Sequence, residues 1–365
     1  MVFAVVAVLL AMVESPLRLG IQALERRDFT AAVEHFQQAT IATPADPSVW
    51  LLLAQASFGA GKNEAALAAA AKAEAAGQRD ADVLHGLAFL YSEFARDYVK
   101  SAEFEARYVA ERPNDTAAWS RIGTLYMRAD LPQRAMEPAT KAYAIAANAQ
   151  TRLLVEESHF RTSQKQMFDK DFDGAASTLT KARSVLKDSP QIELAFGVAL
   201  YAQRKFPEAV AQFLHTMELA PDIEQPYVFA GKILKHAGDK MPALLERFHA
   251  YRQRNPESHL GYLLAAKALV EQGVQTDEVL SLARQAAAKK ADDPEAHFVI
   301  GTLLDARGQV AEAAVALEKS TNLRKDDAAA HYKLARVYLK LGRKDDAARE
   351  RALYEKLSEE ADAKP

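Results

Sequence analysis

The chain has no cysteine among its 365 residues, which excludes disulfide staples and thiolate metal sites and leaves the compartment open. It also lacks an excess of either charge. The 46 basic and 49 acidic side chains leave a net charge of −3, whereas a nucleic-acid surface needs a clustered positive excess. Convergent catalytic patterns are missing as well. The nine histidines are scattered, with no His-Glu-x-x-His and no two of them three or four residues apart. Gly59-Ala60-Gly61-Lys62 superficially resembles a phosphate loop. Ala56 stands where the first glycine is needed, Asn63 replaces the hydroxyl residue and no strand precedes it. No catalytic residue, metal site or cofactor is expected. The apolar run Val2 to Val13 is too short to span a bilayer, which takes about 20 residues. Its length suits the core of a secretory signal, although no basic residue precedes it and no clean Ala-x-Ala follows.

What the chain does have is a block of small and apolar residues that returns mostly every 34 positions. Its clearest copies are Ala32-x3-Phe36-x2-Ala39, Ala175-x3-Leu179-x2-Ala182, Ala209-x3-Phe213-x2-Thr216 and Ala313-x3-Leu317-x2-Ser320. Looser copies start at Ala66, Ala135, Ala243 and Ala347. A fixed period of this length predicts a stack of identical small units, none able to bury its apolar face alone.

One unit, from Pro190 to Pro221, reads as two amphipathic helices. Leu194, Phe196, Gly197, Leu200 and Tyr201 recur at helical spacing. Arg204-Lys205-Phe206-Pro207 makes the turn, and Ala209, Val210, Phe213 and Leu219 form a second stripe. Twelve residues before most of the anchoring alanines lies a Gly or Ala (Gly20, Ala54, Gly123, Gly197, Gly231, Gly301, Ala335), as close helix approach requires. Gly61, Gly238, Gly308 and Gly342 are placed to end the first helix in a left-handed conformation. Trp50, Trp119 and Tyr227 fill a large-residue position. His297 and His331 fall in that same position one repeat apart, so packing, rather than a metal pair, is expected of them.

These motifs resemble the tetratricopeptide repeat family. The best first half is Trp119-x2-Ile122-Gly123-x2-Tyr126, and the best second half is Ala209-x3-Phe213 closed by Pro221. The resemblance covers about ten units between Val13 and Leu357. It implies an all-α fold, a right-handed superhelical solenoid of helix–turn–helix repeats, whose first helices line a concave groove for partner proteins or peptides. Projected onto this chain, the groove residues are Gln55, Phe58, Phe89, Thr124, Met127, Gln164, Val198, Tyr201, Lys232, Lys235, Tyr262, Tyr332 and Arg336, with Thr302 and Asp305 beside them. The front of this groove is expected to be apolar and aromatic with few charges. Its later part carries Lys232, Lys235 and Arg336, which suits a peptide with an apolar and an acidic segment. Chaperone-binding members of the family clamp a C-terminal carboxylate with Lys, Asn and Arg on three consecutive first helices, and no such set occurs here.

The rhythm breaks in a few places. The step from Ala135 to Ala175 is 40 residues, and the surplus at Gln150 to Val155 is expected to lengthen a first helix. Pro138 lies inside a second helix, where proline removes a backbone bond, so a hinge is expected near 138–155. The units around 84–112 and 260–292 look degenerate in their second helices. The expected organisation is an apolar segment 1–14 (signal-peptide remnant or anchor), N-terminal repeats 15–149, C-terminal repeats 150–358 and a charged, frayed tail 359–365. The function expected is a non-enzymatic scaffold for protein partners. The alternatives are an exported cell-envelope assembly factor (secretion, pilus or polysaccharide machinery) and an enzyme accessory subunit. The segment 2–13 would bring membrane association, and an exported or periplasmic location is favoured over a cytoplasmic one.

Overall fold

The computed structural model describes residues 15–362. Among the described residues there are twenty α-helices and no strand. Two compact units divide after Phe168, with 184–186 counted with the first. The first contains α1 (Pro16–Glu25), α2 (Phe29–Ala42), α3 (Pro47–Gly59), α4 (Asn63–Ala76), α5 (Ala81–Glu93), α6 (Tyr98–Glu111), α7 (Thr116–Arg128), α8 (Pro132–Ile145) and α9 (Ala149–Phe168). From α10 (Phe172–Val185) onward the helices belong mainly to the second. They are α11 (Pro190–Ala202), α12 (Phe206–Leu219), α13 (Gln225–Lys232), α14 (Met241–Arg254), α15 (His259–Glu271), α16 (Asp277–Lys289), α17 (Pro294–Ala306), α18 (Val310–Leu323), α19 (Ala328–Lys340) and α20 (Lys344–Asp362). Taken in order they are ten helix pairs, an all-α repeat solenoid. The expected segment 1–14 lies outside the described residues. The last helix runs through Asp362, into the stretch expected to fray.

Local chemistry explains the punctuation. Several first helices open with a capping side chain followed by proline. Ser15, Asp46, Ser189 and Asp293 accept a backbone N–H from the first turn, and Pro16, Pro47, Pro190 and Pro294 occupy the position where a missing N–H costs nothing. Between first and second helices every repeat has one residue at positive φ. The ten are Arg27, Gly61, Arg96, Asp130, Lys170, Arg204, Gly238, Gly273, Gly308 and Gly342, with φ from 53° to 78°. Glycine holds this left-handed position in the second repeat and in the last four, whereas Arg27, Arg96, Asp130, Lys170 and Arg204 hold it against the steric preference of a side chain with a Cβ.

Packing follows the same period. A Cβ on Gly20 would lie 2.6 Å from Phe36, one on Gly197 2.7 Å from Phe213, and one on Gly301 2.6 Å from Leu317. Where the facing residue is Ala70, the small position tolerates Ala54, and both are buried. In these repeats the size of the small residue is matched to the side chain sixteen positions on, whereas Gly123 and Gly231 are crowded by Leu154 and Leu264 of the following first helices.

The large-residue position has a second task. Trp50 Nε1 donates to Pro44 O and Trp119 Nε1 to Pro113 O, each at 2.8 Å, and Tyr227 Oη donates to Pro221 O at 3.0 Å. His297 Nε2 meets Ala291 O and His331 Nε2 meets Lys325 O, both at 3.0 Å. In each case the acceptor is six residues upstream, in the linker that leaves the preceding helix. A ring nitrogen facing a carbonyl must carry the hydrogen, so both histidines stand in for the tryptophan indole N–H. Among the described residues no three His, Asp or Glu side chains form a group able to hold a metal.

Two features of the repeat register differ from the simple period. Ala243 is exposed, and Leu244, Phe248 and Tyr251 are buried in its stead. The seventh anchor block is therefore Leu244-x3-Phe248-x2-Tyr251, one residue late. The cause is the turn before it, where two short 3-10 segments (Leu234–His236 and Gly238–Lys240) take up the extra residue. The surplus at 150–155 does lengthen a first helix: α9 has 20 residues, against 13 in α7 and α11. Pro138 sits buried inside α8, whose helical span continues on both sides of it.

Candidate partner-binding surface

The third repeat supplies the site. Its anchor block is Ser101-x3-Glu105-x2-Tyr108, with polar groups where other repeats place Ala, Phe or Leu. Glu105 stands in the column of Phe36, Leu179, Phe213 and Leu317, and its side chain is only 3% exposed. A carboxylate this buried must be paired. Oε1 accepts from His85 Nδ1 at 2.8 Å and from Arg121 Nε at 2.9 Å, and Oε2 accepts from Arg121 Nη2 at 3.1 Å. Glu105 comes from a second helix, α6, while His85 and Arg121 come from the first helices α5 and α7. The buried acid therefore ties two neighbouring first helices together and fixes both side chains at the surface they line.

The other members of the block are satisfied in the same way. Ser101 Oγ donates to Ala88 O at 2.7 Å and Tyr108 Oη to Asp115 Oδ2 at 3.0 Å. Asp115 caps α7 by accepting the Ala118 N–H at 2.9 Å. That backbone bond holds its carboxyl below the usual aspartate range, opposed by burial and reinforced by Tyr108 and Arg121. The second helix that looks degenerate in sequence exchanges apolar packing for hydrogen bonds.

Above this network lies a cleft of about 680 Å³. His85, Phe89, Ser120, Arg121, Thr124 and Arg128 line it together with the start of α9. Its aromatic neighbours are Phe58 and Phe94, stacked at 5.7 Å, with Phe89 edge-on to Phe94 at 6.1 Å. Phe89 and Phe94 remain 49% and 38% exposed, a large apolar area for a surface position.

The residues projected from sequence are distributed as follows. In the first unit, Phe89 and Thr124 line the cleft, and Phe58 belongs to its aromatic cluster. Met127 and Gln55 are half-buried and Gln164 is exposed. Thr124 Oγ1 donates back to Ser120 O at 2.8 Å. In the second unit, Val198 is half-buried, and Tyr201 packs edge-on to Phe206 and Phe229. Lys232 and Lys235 are exposed, with Lys232 over the Phe229 ring. Tyr332 packs at a tilt against Tyr354 beside Arg336, and these three line a separate recess at the last repeat. Tyr262 does not join a first-helix surface: its ring is flanked by Arg252 and Lys289, both on second helices. It occupies the large-residue column of Trp119 instead. The expectation of a front groove with few charges is also corrected, since Arg121, Arg128, His85 and Glu93 all line the cleft.

His85, Phe94, Glu105, Arg121 and Arg128 went unidentified in the sequence. One signal was available for Glu105, the acid in a column otherwise apolar through nine repeats (the tenth has Arg351). His85 and Arg121 are ordinary surface residues until a helix pair brings them to Glu105.

By fold, the chain is a helical-repeat scaffold of the protein-interaction kind. Residues 17–81 match a family model described as Tetratricopeptide repeat, and residues 301–342 match one described as TPR repeat. The chain is a tetratricopeptide repeat protein. No curated protein matches it in sequence. Similar solved structures include a thermophilic TPR protein of Thermus thermophilus, with 23% identity, 48% of this chain and 93% of that one covered, and a TM-score of 0.41. Yeast Tom70 is 13% identical over 94% of this chain and 91% of its own, with a TM-score of 0.40. YrrB, a TPR protein with an unusual peptide-binding site, is 19% identical over 50% and 93%, with a TM-score of 0.35. These are likenesses of helical-repeat architecture, and nothing about this chain's partners follows from them.

Proposed function

We propose that the protein is a non-enzymatic scaffold that holds a peptide segment of a partner protein in the first-helix cleft of its first unit. The observation that carries this reading is the buried Glu105, which holds Arg121 and His85 at one side of an open cleft flanked by exposed Phe89 and Phe94. A fold that needed only packing would place an apolar residue at 105, as most other repeats do. The polar groups of the cleft are oriented by one another and by Glu105, an arrangement suited to recognition.

The test is site-specific photo-crosslinking in the native host. A photoreactive residue at Phe89 or Thr124 is expected to capture one reproducible partner, and one at the exposed Glu103 of α6 is expected not to. Equal capture from all these positions, or capture from Glu103 alone, would refute a first-helix binding surface.

A further inference from the structure

We infer that the cleft of the first unit selects a partner segment by a side-chain carboxylate, an Asp or Glu of the segment. This carboxylate is set against Arg121 and Arg128, with a large apolar side chain of the same segment on Phe58, Phe89 and Phe94. The inference rests on the binding role proposed above and specifies its chemistry.

The argument begins with which charges in the cleft are already committed. Both oxygens of Glu105 are taken by Arg121 and His85, and the side chain is almost fully buried, so it has nothing to offer a cationic ligand. Its pairing uses Nε and Nη2 of Arg121, one edge of the guanidinium. The N–H groups of Nη1 and the second of Nη2 are left, and these form the parallel fork that fits a carboxylate. Arg121 is 38% exposed, enough for that end to be reached. Arg128, about two turns further along α7, lines the same cleft and is exposed. It lies over the Tyr98 ring at 5.9 Å. The opposing charge is Glu93, an exposed residue whose Oε1 accepts weakly from Ser92 at 3.4 Å. Formal charge in the cleft balances, Arg121 against Glu105 and Arg128 against the solvated Glu93, so the preference for an acidic ligand comes from the free fork of Arg121 and the exposed Arg128 rather than from net charge.

Preorganisation strengthens the case. An arginine loses much side-chain freedom on binding, and here Glu105 has removed that freedom in advance. Glu105 is thus a positioning residue for Arg121. The apolar half of the ligand follows from Phe89, which lines the same cleft, and from Phe94 and Phe58, which extend its ring cluster. A single short segment, with its apolar and acidic side chains within about one helical turn, spans both.

The experiment uses the full chain and an array of short peptides capped at both ends. Each has one phenylalanine and, at varied spacing, one Glu, Gln or Lys, and binding is read by fluorescence anisotropy. The best Glu peptides are expected to bind about tenfold or more tightly than their Gln counterparts, the gain of a charge-assisted contact. The margin should shrink with added salt. Arg128→Gln, at an exposed position and with its fold checked by circular dichroism, should narrow it, and Arg128→Glu should shift preference toward Lys. Glu105→Leu should erase the Glu-over-Gln margin while keeping Phe89-dependent binding. Equal binding of Glu and Gln peptides, or tight binding only with a free C-terminal carboxylate, overturns the inference. If such binding still requires Phe89, the proposed binding surface stands without it. Failure of every peptide to bind, or binding indifferent to Phe89→Ala, overturns both.

Discussion

Replacing Glu105 with leucine separates what the buried acid does for the fold from what it does for the surface. The position is one where Leu179 and Leu317 sit in other repeats, both fully buried. Removing the carboxylate eliminates a desolvation cost of several kcal/mol for a buried ion. A buried leucine adds about 1.5–3 kcal/mol. Against this stand the lost bonds from Arg121 and His85, about 1.5–3 kcal/mol each to a charged group in a dry site. That figure must be reduced because Arg121 and His85 are 38% and 47% exposed and water screens them. Once released, both side chains can hydrate, so no stranded charge remains. The net expectation is a change between about zero and 2 kcal/mol in favour of the folded state. Urea unfolding gives the total, and amide hydrogen exchange in α5, α6 and α7 gives the local value, which a repeat array requires because its units need not unfold together. A loss of more than about 1 kcal/mol in local protection would refute the reasoning, because the network would then hold the helices together rather than organise their surface.

Three further outcomes are expected. Gly197→Ala should cost about 2 kcal/mol through overpacking against Phe213, and adding Phe213→Leu should recover about 1 kcal/mol of it; additive effects by urea titration would contradict the size matching. Arg204→Gly should stabilise the sixth repeat by up to about 1 kcal/mol, since the φ of 62° suits glycine; unchanged or lower protection of α11 and α12 would count against it. Acid should weaken the array. The Glu295 carboxyl is pushed up by burial, but Lys267 and Arg324 outweigh this and hold it below its ordinary value, and Asp115 is likewise lowered. A depressed folded pKa contributes stability that is complete above the unfolded value of about 4 and is lost as pH falls through the folded one. Asp115→Asn should therefore lose less stability than wild type between about pH 5 and 3, as thermal melts would report.

Much of the fold is legible in the chain, because the repeat is enforced by contacts of fixed offset. In the regular repeats a small residue faces its partner sixteen positions on, and a turn reverses the chain between them. Gly20, Gly197 and Gly301 announce this directly. The left-handed turns at Arg27, Arg96 and Arg204 do not, since nothing in an arginine signals positive φ. There the stacked helices hold the backbone in a conformation that the residue itself disfavours. The seventh repeat departs from the sequence period by one position for a related reason. Ala243 keeps the period, but a residue absorbed in the turn moves Leu244 into the core, and burial rather than spacing decides which residue packs.

The binding surface divides in the same way. That first helices would carry the proposed surface is what the family resemblance implies, and Phe89 and Thr124, projected on that basis, line the cleft. That Glu105, His85 and Arg121 form one network follows from no such projection, because they lie on three helices and meet only when the third and fourth repeats stack. Sequence alone determined the repeat, its number and the apolar seam, because these depend on offsets along one chain. Only tertiary structure decided where that seam is interrupted to build a charged site, because a buried carboxylate depends on partners that no local spacing specifies.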